Sequence, residues 1–179
     1  MTVASDGMPG VGADGQLLPA DASPSEFTGH PRAAGTHART LRLGREYGVP
    51  LMHTLAQLSY WSAKHLGETG LEFMQHRGRM QEGMVADITL FDPETVTDKA
   101  TYKSGEQGLP SSGIPWVLVA GQAVVKEAQV QDKLYPGQAI RYPVEEKPRF
   151  VPLDAEKWIQ EFSIRETSVR PNPALSHLH

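Results

Sequence analysis

Apolar positions are spread unevenly along the chain. Residues 1–50 hold few apolar runs and many breakers, among them Met8-Pro9-Gly10-Val11-Gly12 and Leu18-Pro19-Ala20-Asp21, and read as loop. From Pro50 the pattern changes: Leu51, Met52, Leu55 and Leu58 recur at helical spacing behind a proline suited to a first turn. Trp61, Ala63 and Leu66 continue that face as a second short helix, with Gly67 as its stop. Ala86–Pro93 reads as a strand, because Ile88 and Leu90 alternate with Thr89 and Pro93 ends the run. Residues 116–119 and 122–125 flank Ala120-Gly121 and predict a tight hairpin. Gln138–Tyr142 is a further short strand, after the Pro136-Gly137 turn.

Beyond Pro143 the composition shifts to the charged linker Glu145-Glu146-Lys147-Pro148-Arg149. Asp154 then caps a short helix through Trp158 and Phe162, and residues 165–179 read as loose. So few strands cannot easily form an independent sheet with both faces covered, so partners from a longer chain are expected. Trp61, Trp116 and Phe91 are core candidates, and Asp87 is expected to hydrogen-bond within its glycine turn.

A net charge of −4 argues against nucleic acid or an anionic membrane as the main partner. No apolar run approaches a membrane span, and no basic segment leads into an apolar one at the N-terminus, so a cytoplasmic setting is expected. The chain has no cysteine, which removes thiolate catalysis and cysteine-based zinc sites.

Two segments carry chemistry. One is Ser5-Asp6-Gly7, followed by His30-Pro31-Arg32, Gly35-Thr36 and Arg39. The other runs from Arg77-Gly78 through Glu82-Gly83, Ala86-Asp87, Phe91-Asp92-Pro93 and Asp98-Lys99-Ala100-Thr101-Tyr102 to Gly113-Ile114, Val117-Leu118-Val119, Gly121 and Pro136-Gly137. In this order, over roughly residues 4–142, they resemble the C-terminal part of the N-acyl-D-amino-acid deacylases (D-aminoacylases) of the amidohydrolase superfamily.

The resemblance implies an α/β full-length protein, a TIM-like barrel with one or two zinc ions joined to a small β-sandwich. Residues 1–66 would be the end of the barrel, with strand eight, an active-site loop and closing helices. Residues 67–142 would be the C-terminal share of the sandwich, and 143–179 an extension, partly disordered. Asp6 would lie at the end of the eighth strand, beside the metal, as both ligand and proton relay. The loop carrying His30, Arg32 and Arg39 would cover the mouth and bind substrate, the arginines gripping its carboxylate in a bidentate fork and His30 touching the substrate or orienting the loop. The plain alternatives are an exposed turn aspartate, solvated arginines and a structural histidine.

The family's metal-ligand histidines lie upstream and have no counterpart in this chain. The implied substrate is a small N-acyl amino acid, hydrolysed at its amide C–N bond. The chain alone is expected to lack metal and turnover, unless a separate barrel half or a homo-oligomer completes it. A noncatalytic interaction module left from such an enzyme is the alternative. His177-Leu178-His179 imitates a metal-site pair but sits in the tail, and His53, His65 and His76 lack mutual ligand spacing.

Overall fold

The computed structural model describes residues 2–19, 21–144 and 154–162. Met1–Tyr142 forms one compact unit and Pro143–His179 a second. Within the first, residues 2–10 run without regular structure, and Val3 N–H donates to Gln57 O at 3.1 Å.

The first long element is the helix α1, Arg32–Glu46, which corrects the reading of residues 1–50 as loop. It lacks a stripe of large apolar residues. Its buried positions are Gly35, Ala38 and Gly44; Gly35 and Ala38 share one face, whereas Gly44 lies about half a turn around the helix, so neighbours approach bare backbone on two sides. A Cβ at Gly35 would stand 3.3 Å from Asp98 Cβ, and one at Gly44 would stand 2.7 Å from Thr54 Oγ1. The helix ends in a Schellman turn: Val49 N–H donates to Gly44 O at 2.8 Å and Gly48 N–H to Arg45 O, with Gly48 at φ +68°.

Pro50 precedes α2 (Leu51–Leu55), as its fixed φ allows. The helix widens into a π segment over Ala56–Tyr60 and continues as α3 (Trp61–Glu68). Gly67 is not the stop. It lies inside α3, buried against Gln75, and the chain reverses at Gly70 with φ +98°. Gly78 sits over Ala63, where a Cβ would clash at 2.4 Å, so the 72–78 segment rests directly on α3.

A four-stranded antiparallel meander follows: β1 (Ile88–Leu90), β2 (Trp116–Val119), β3 (Gln122–Lys126) and β4 (Gln129–Val130), in that order. The β2–β3 hairpin turns at Ala120-Gly121 with both φ positive, 48° and 78°, as a right-twisted two-residue turn requires. Asp87 does more than order its own turn. Its carboxylate accepts from Ala120 N–H at 2.8 Å and from Arg77 Nε at 3.0 Å, tying the hairpin tip to the chain before β1. Gln138–Tyr142 forms no strand, and the fourth strand comes earlier, at β4. Trp61, Trp116 and Phe91 are half-buried; among the described residues the buried hydrophobic ones are Ala38, Ala63, Leu71, Val96 and Ala100.

Between β1 and β2, residues 91–115 fold back on themselves through the Thr97–Ser112 bridge, with Val96 fully buried. α1 is fastened to this loop. Arg45 Nη1 donates to the carbonyls of Pro93 (2.8 Å) and Val96 (3.2 Å), and Arg42 Nε donates to Asp98 Oδ1 at 2.8 Å. Burial opposes ionisation of Asp98, but the Arg42 hydrogen bond, its own backbone N–H and the charges of Arg42 and Arg39 outweigh it. The carboxyl therefore stays below its ordinary value.

In the second unit, α4 (Ala155–Phe162) starts at Asp154, whose Oδ1 accepts from Lys157 N–H at 3.0 Å. The linker at 145–149, residues 165–179 and His177–His179 lie outside the described residues. No helix among the described residues is long and apolar enough to cross a membrane.

Two outcomes follow from this packing. Gly113 has φ +82°, and a Cβ there would lie 2.7 Å from Val96 Cα. Gly113→Ala is expected to lower the unfolding free energy, read by urea titration, by more than the roughly 1–3 kcal/mol of backbone strain alone. Gly15→Ala, at φ +77° with nothing within 4 Å, should show the strain alone. Because the folded carboxyl of Asp98 lies below its ordinary 3.8, its contribution is fully present above that value and is lost as pH falls through the folded one. Asp98→Asn should therefore be less stable at neutral pH and show a shallower loss of stability in acid, read from urea midpoints across that range.

Candidate functional site

Residues separated by long stretches of chain meet at the N-terminal end of α1. Asp6 holds a left-handed backbone conformation, φ 49°, between Ser5, whose Oγ accepts from Gly7 N–H at 3.3 Å, and Gly7. A Cβ at Gly7 would stand 3.3 Å from Ala33 Cα, so this turn lies against the first turn of α1. There the Asp6 carboxylate meets Arg32, Oδ2 to Nη2, at 3.0 Å. An arginine in the first turn of a helix is opposed by the helix dipole, and Asp6 supplies the missing negative charge at that end. The pair is open to water, with side-chain exposures of 78% for Asp6 and 40% for Arg32, so it contributes at most about 1 kcal/mol and can be exchanged for another partner.

His30 governs how α1 begins. Its Nδ1 accepts from Arg32 N–H at 3.0 Å, which satisfies a helix N–H that has no partner inside the helix. An accepting Nδ1 in a neutral ring leaves the proton on Nε2, which lies 2.9 Å from Tyr102 Oη. The two rings meet edge to face at 5.1 Å. Tyr102 thus fixes His30, and His30 fixes the backbone that carries Arg32.

The structure brings Asp6, Arg32 and His30 together, and it leaves Arg39 apart. Arg39 lies on α1 rather than on a loop, seven positions and so about two turns beyond Arg32, roughly 10 Å along the axis. It is exposed, and its charge is felt at Asp98. Arg32 likewise sits on the helix and not on a covering loop. Sequence reasoning gave no role to Tyr102, Asp98 or Arg42. The available signal was that Asp98 and Tyr102 stand in one of the two motif segments and had no assigned partner.

The described residues do not make a metal centre. No group of three or more histidine, cysteine, aspartate or glutamate side chains gathers among the described residues. A closed zinc site takes about four ligands, and Asp6 offers one, already engaged by a guanidinium. His53 packs edge-on against Trp61 at 5.1 Å, which is a structural contact.

No family model matches the chain. The N-acyl-D-glutamate deacylase of Alcaligenes xylosoxydans is 37% identical over 133 residues, covering 73% of this chain and 24% of that protein. The crystal structure of the N-acyl-D-glutamate deacylase from Bordetella bronchiseptica, complexed with zinc and a phosphonate inhibitor that mimics the tetrahedral intermediate, is 36% identical. It superposes with a TM-score of 0.52 over 63% of this chain and 22% of that one. A D-aminoacylase structure, described as defining a novel subset of amidohydrolases, gives 0.50 at 32% identity over 58% of this chain and 21% of its own. The chain thus spans about a quarter of the length of the curated relatives it matches. Sequence and fold agree that it is a partial-length homologue of the N-acyl-D-amino-acid deacylases, within the amidohydrolases.

Proposed function

We propose that this chain is the C-terminal part of an amidohydrolase that cleaves the amide C–N bond of an N-acyl-D-amino acid. The observation that carries the reading is the 3.0 Å pairing of Asp6 with Arg32, in a chain homologous to deacylases of such substrates. Hydrolysis requires a group that takes a proton from the attacking water and delivers one to the departing nitrogen. A carboxylate does both, and Asp6 is assigned that role. The substrate also carries a carboxylate. Arg32 receives it in the fork now turned toward Asp6, with Arg39 as a second cation farther along α1. His30 and Tyr102 set the position of Arg32 and take no part in proton transfer.

In the assembled protein, residues 1–66 close a TIM-like barrel and residues 67–142 complete a β-sandwich, the four-stranded meander being its local share. One relative's structure holds zinc. The described residues hold no donor set for it, so the metal and the activation of the carbonyl belong to the part of the relatives that this chain does not match. By itself the chain is inactive.

Turnover of N-acetyl-D-glutamate and bound zinc are to be measured for the chain alone and for the chain with the barrel portion of a relative. Turnover is expected only in the mixture, and Asp6→Asn should lower it at least about 10²-fold with the complex intact. A confirmed complex without turnover, or an Asp6→Asn complex as active as the parent, overturns the reading. The first outcome leaves a noncatalytic module.

A further inference from the structure

We propose that the cleft between the 8–27 loop and the start of α1 receives the acyl group of the substrate, and that it favours apolar acyl chains longer than acetyl. The inference rests on the function proposed above and supplies the substrate part which that reading leaves open. The cleft holds about 410 Å³ and is walled by Met8, Leu18, Pro19, Phe27, Ala33 and Ala34. Among the described residues no charged side chain lines it, and Ser23 contributes a hydroxyl. An acidic amino-acid side chain would find no counter-charge there, whereas a hydrocarbon chain would displace water from the Met8, Leu18, Phe27, proline and alanine side chains, the rest of the wall being Ser23 and backbone.

Position selects the acyl group. Neither Asp6 nor Arg32 lines the cleft, but Ala33 directly follows Arg32, Met8 stands two residues from Asp6, and the Gly7 turn rests on Ala33, so the cleft adjoins the turn that carries Asp6. In an N-acyl amino acid the carbon bearing the carboxylate and the first carbon of the acyl chain flank one trans amide, about 3.8 Å apart. A substrate held by its carboxylate at Arg32, with its amide at Asp6, therefore projects the acyl chain within reach of the Ala33 wall.

The loop is a built wall. Leu18 N–H donates to Gly10 O at 2.9 Å, Gly12 N–H to Gln16 O at 2.9 Å, and Thr28 N–H to Val11 O at 2.8 Å. Ser23 and Glu26 form a reciprocal capping box around the short turn that leads into Phe27. Two glycines seat the Phe27 ring. A Cβ at Gly108 would lie 2.6 Å from Phe27 Cβ, and one at Gly10 would lie 3.1 Å from Phe27 Cδ2. The ring is thereby held as a side of the cleft.

The test is binding, so it does not depend on turnover. N-acetyl-D-glutamate, N-hexanoyl-D-glutamate and N-acetyl-D-leucine are titrated into the chain, and into its complex with a relative's barrel portion, with side-chain methyl NMR as the readout. The hexanoyl compound is expected to shift the Met8, Leu18, Ala33 and Ala34 methyls and to bind about 10-fold tighter than the acetyl one. Ala34→Leu, which keeps a good helix former while filling the cleft, should bring that ratio to about one. Equal affinities in the parent protein, hexanoyl shifts confined to other methyls, or no binding by either preparation overturn the proposal. So does N-acetyl-D-leucine shifting these methyls as strongly as the hexanoyl compound, which would give the cleft to the amino-acid side chain. Binding as expected in the confirmed complex, with no turnover by that complex, sinks the catalytic reading of Asp6 and leaves the cleft standing.

Discussion

Arg42 and Arg45 reach from α1 to Asp98 and to the carbonyls of Pro93 and Val96, and the same face of the helix presents Gly35 and Ala38, which let the 91–115 loop come close. That close seating is the constraint on which the rest of Met1–Tyr142 depends. It brings Ala100 under Gly35, which in turn carries Tyr102 to His30. It also places the first turn of α1 where the Ser5-Asp6-Gly7 turn lies against it. The ion pair at the site is weak and exposed, so its geometry is set by these contacts behind it.

How much of this was legible depends on what kind of signal each element carries. The hairpin of β2 and β3 was readable because apolar runs flank a two-residue turn ending in glycine. The starts of α2 and α4 were readable because Pro50 and Asp154 are recognisable helix openers. α1 was not, since periodicity is sought in large apolar residues and this helix packs through Gly35, Ala38 and Gly44. β4 was missed for a related reason. Its turn, Glu127-Ala128, holds two non-glycine residues at φ 49° and 63°, a conformation that the residue types do not announce. Residues 138–142 kept a strand-like alternation, but no neighbouring strand lies there for them to pair with among the described residues.

The candidate site divides in the same way. Asp6, His30 and Arg32 stood out in the sequence through their motifs, and the fold brings them to one helix end. Tyr102 is 72 residues from His30, and only the folding of the 91–115 loop joins them. Arg39 shares a motif with Arg32 yet sits two turns away, because a helix spreads along its axis what a loop would gather.

The pairing of Asp6 with Arg32 has a consequence for affinity. In the proposed function the protein's own carboxylate holds one nitrogen of the guanidinium that must grip the substrate's. The chain therefore carries an internal competitor, tethered beside its target and present in every molecule. A carboxylate ligand binds only the fraction in which that contact is open, and its apparent dissociation constant rises in proportion. The same exchange frees Asp6 at the moment a ligand arrives. On the proposed assignment of Asp6 as base, the exchange that seats the substrate is also the one that frees the base.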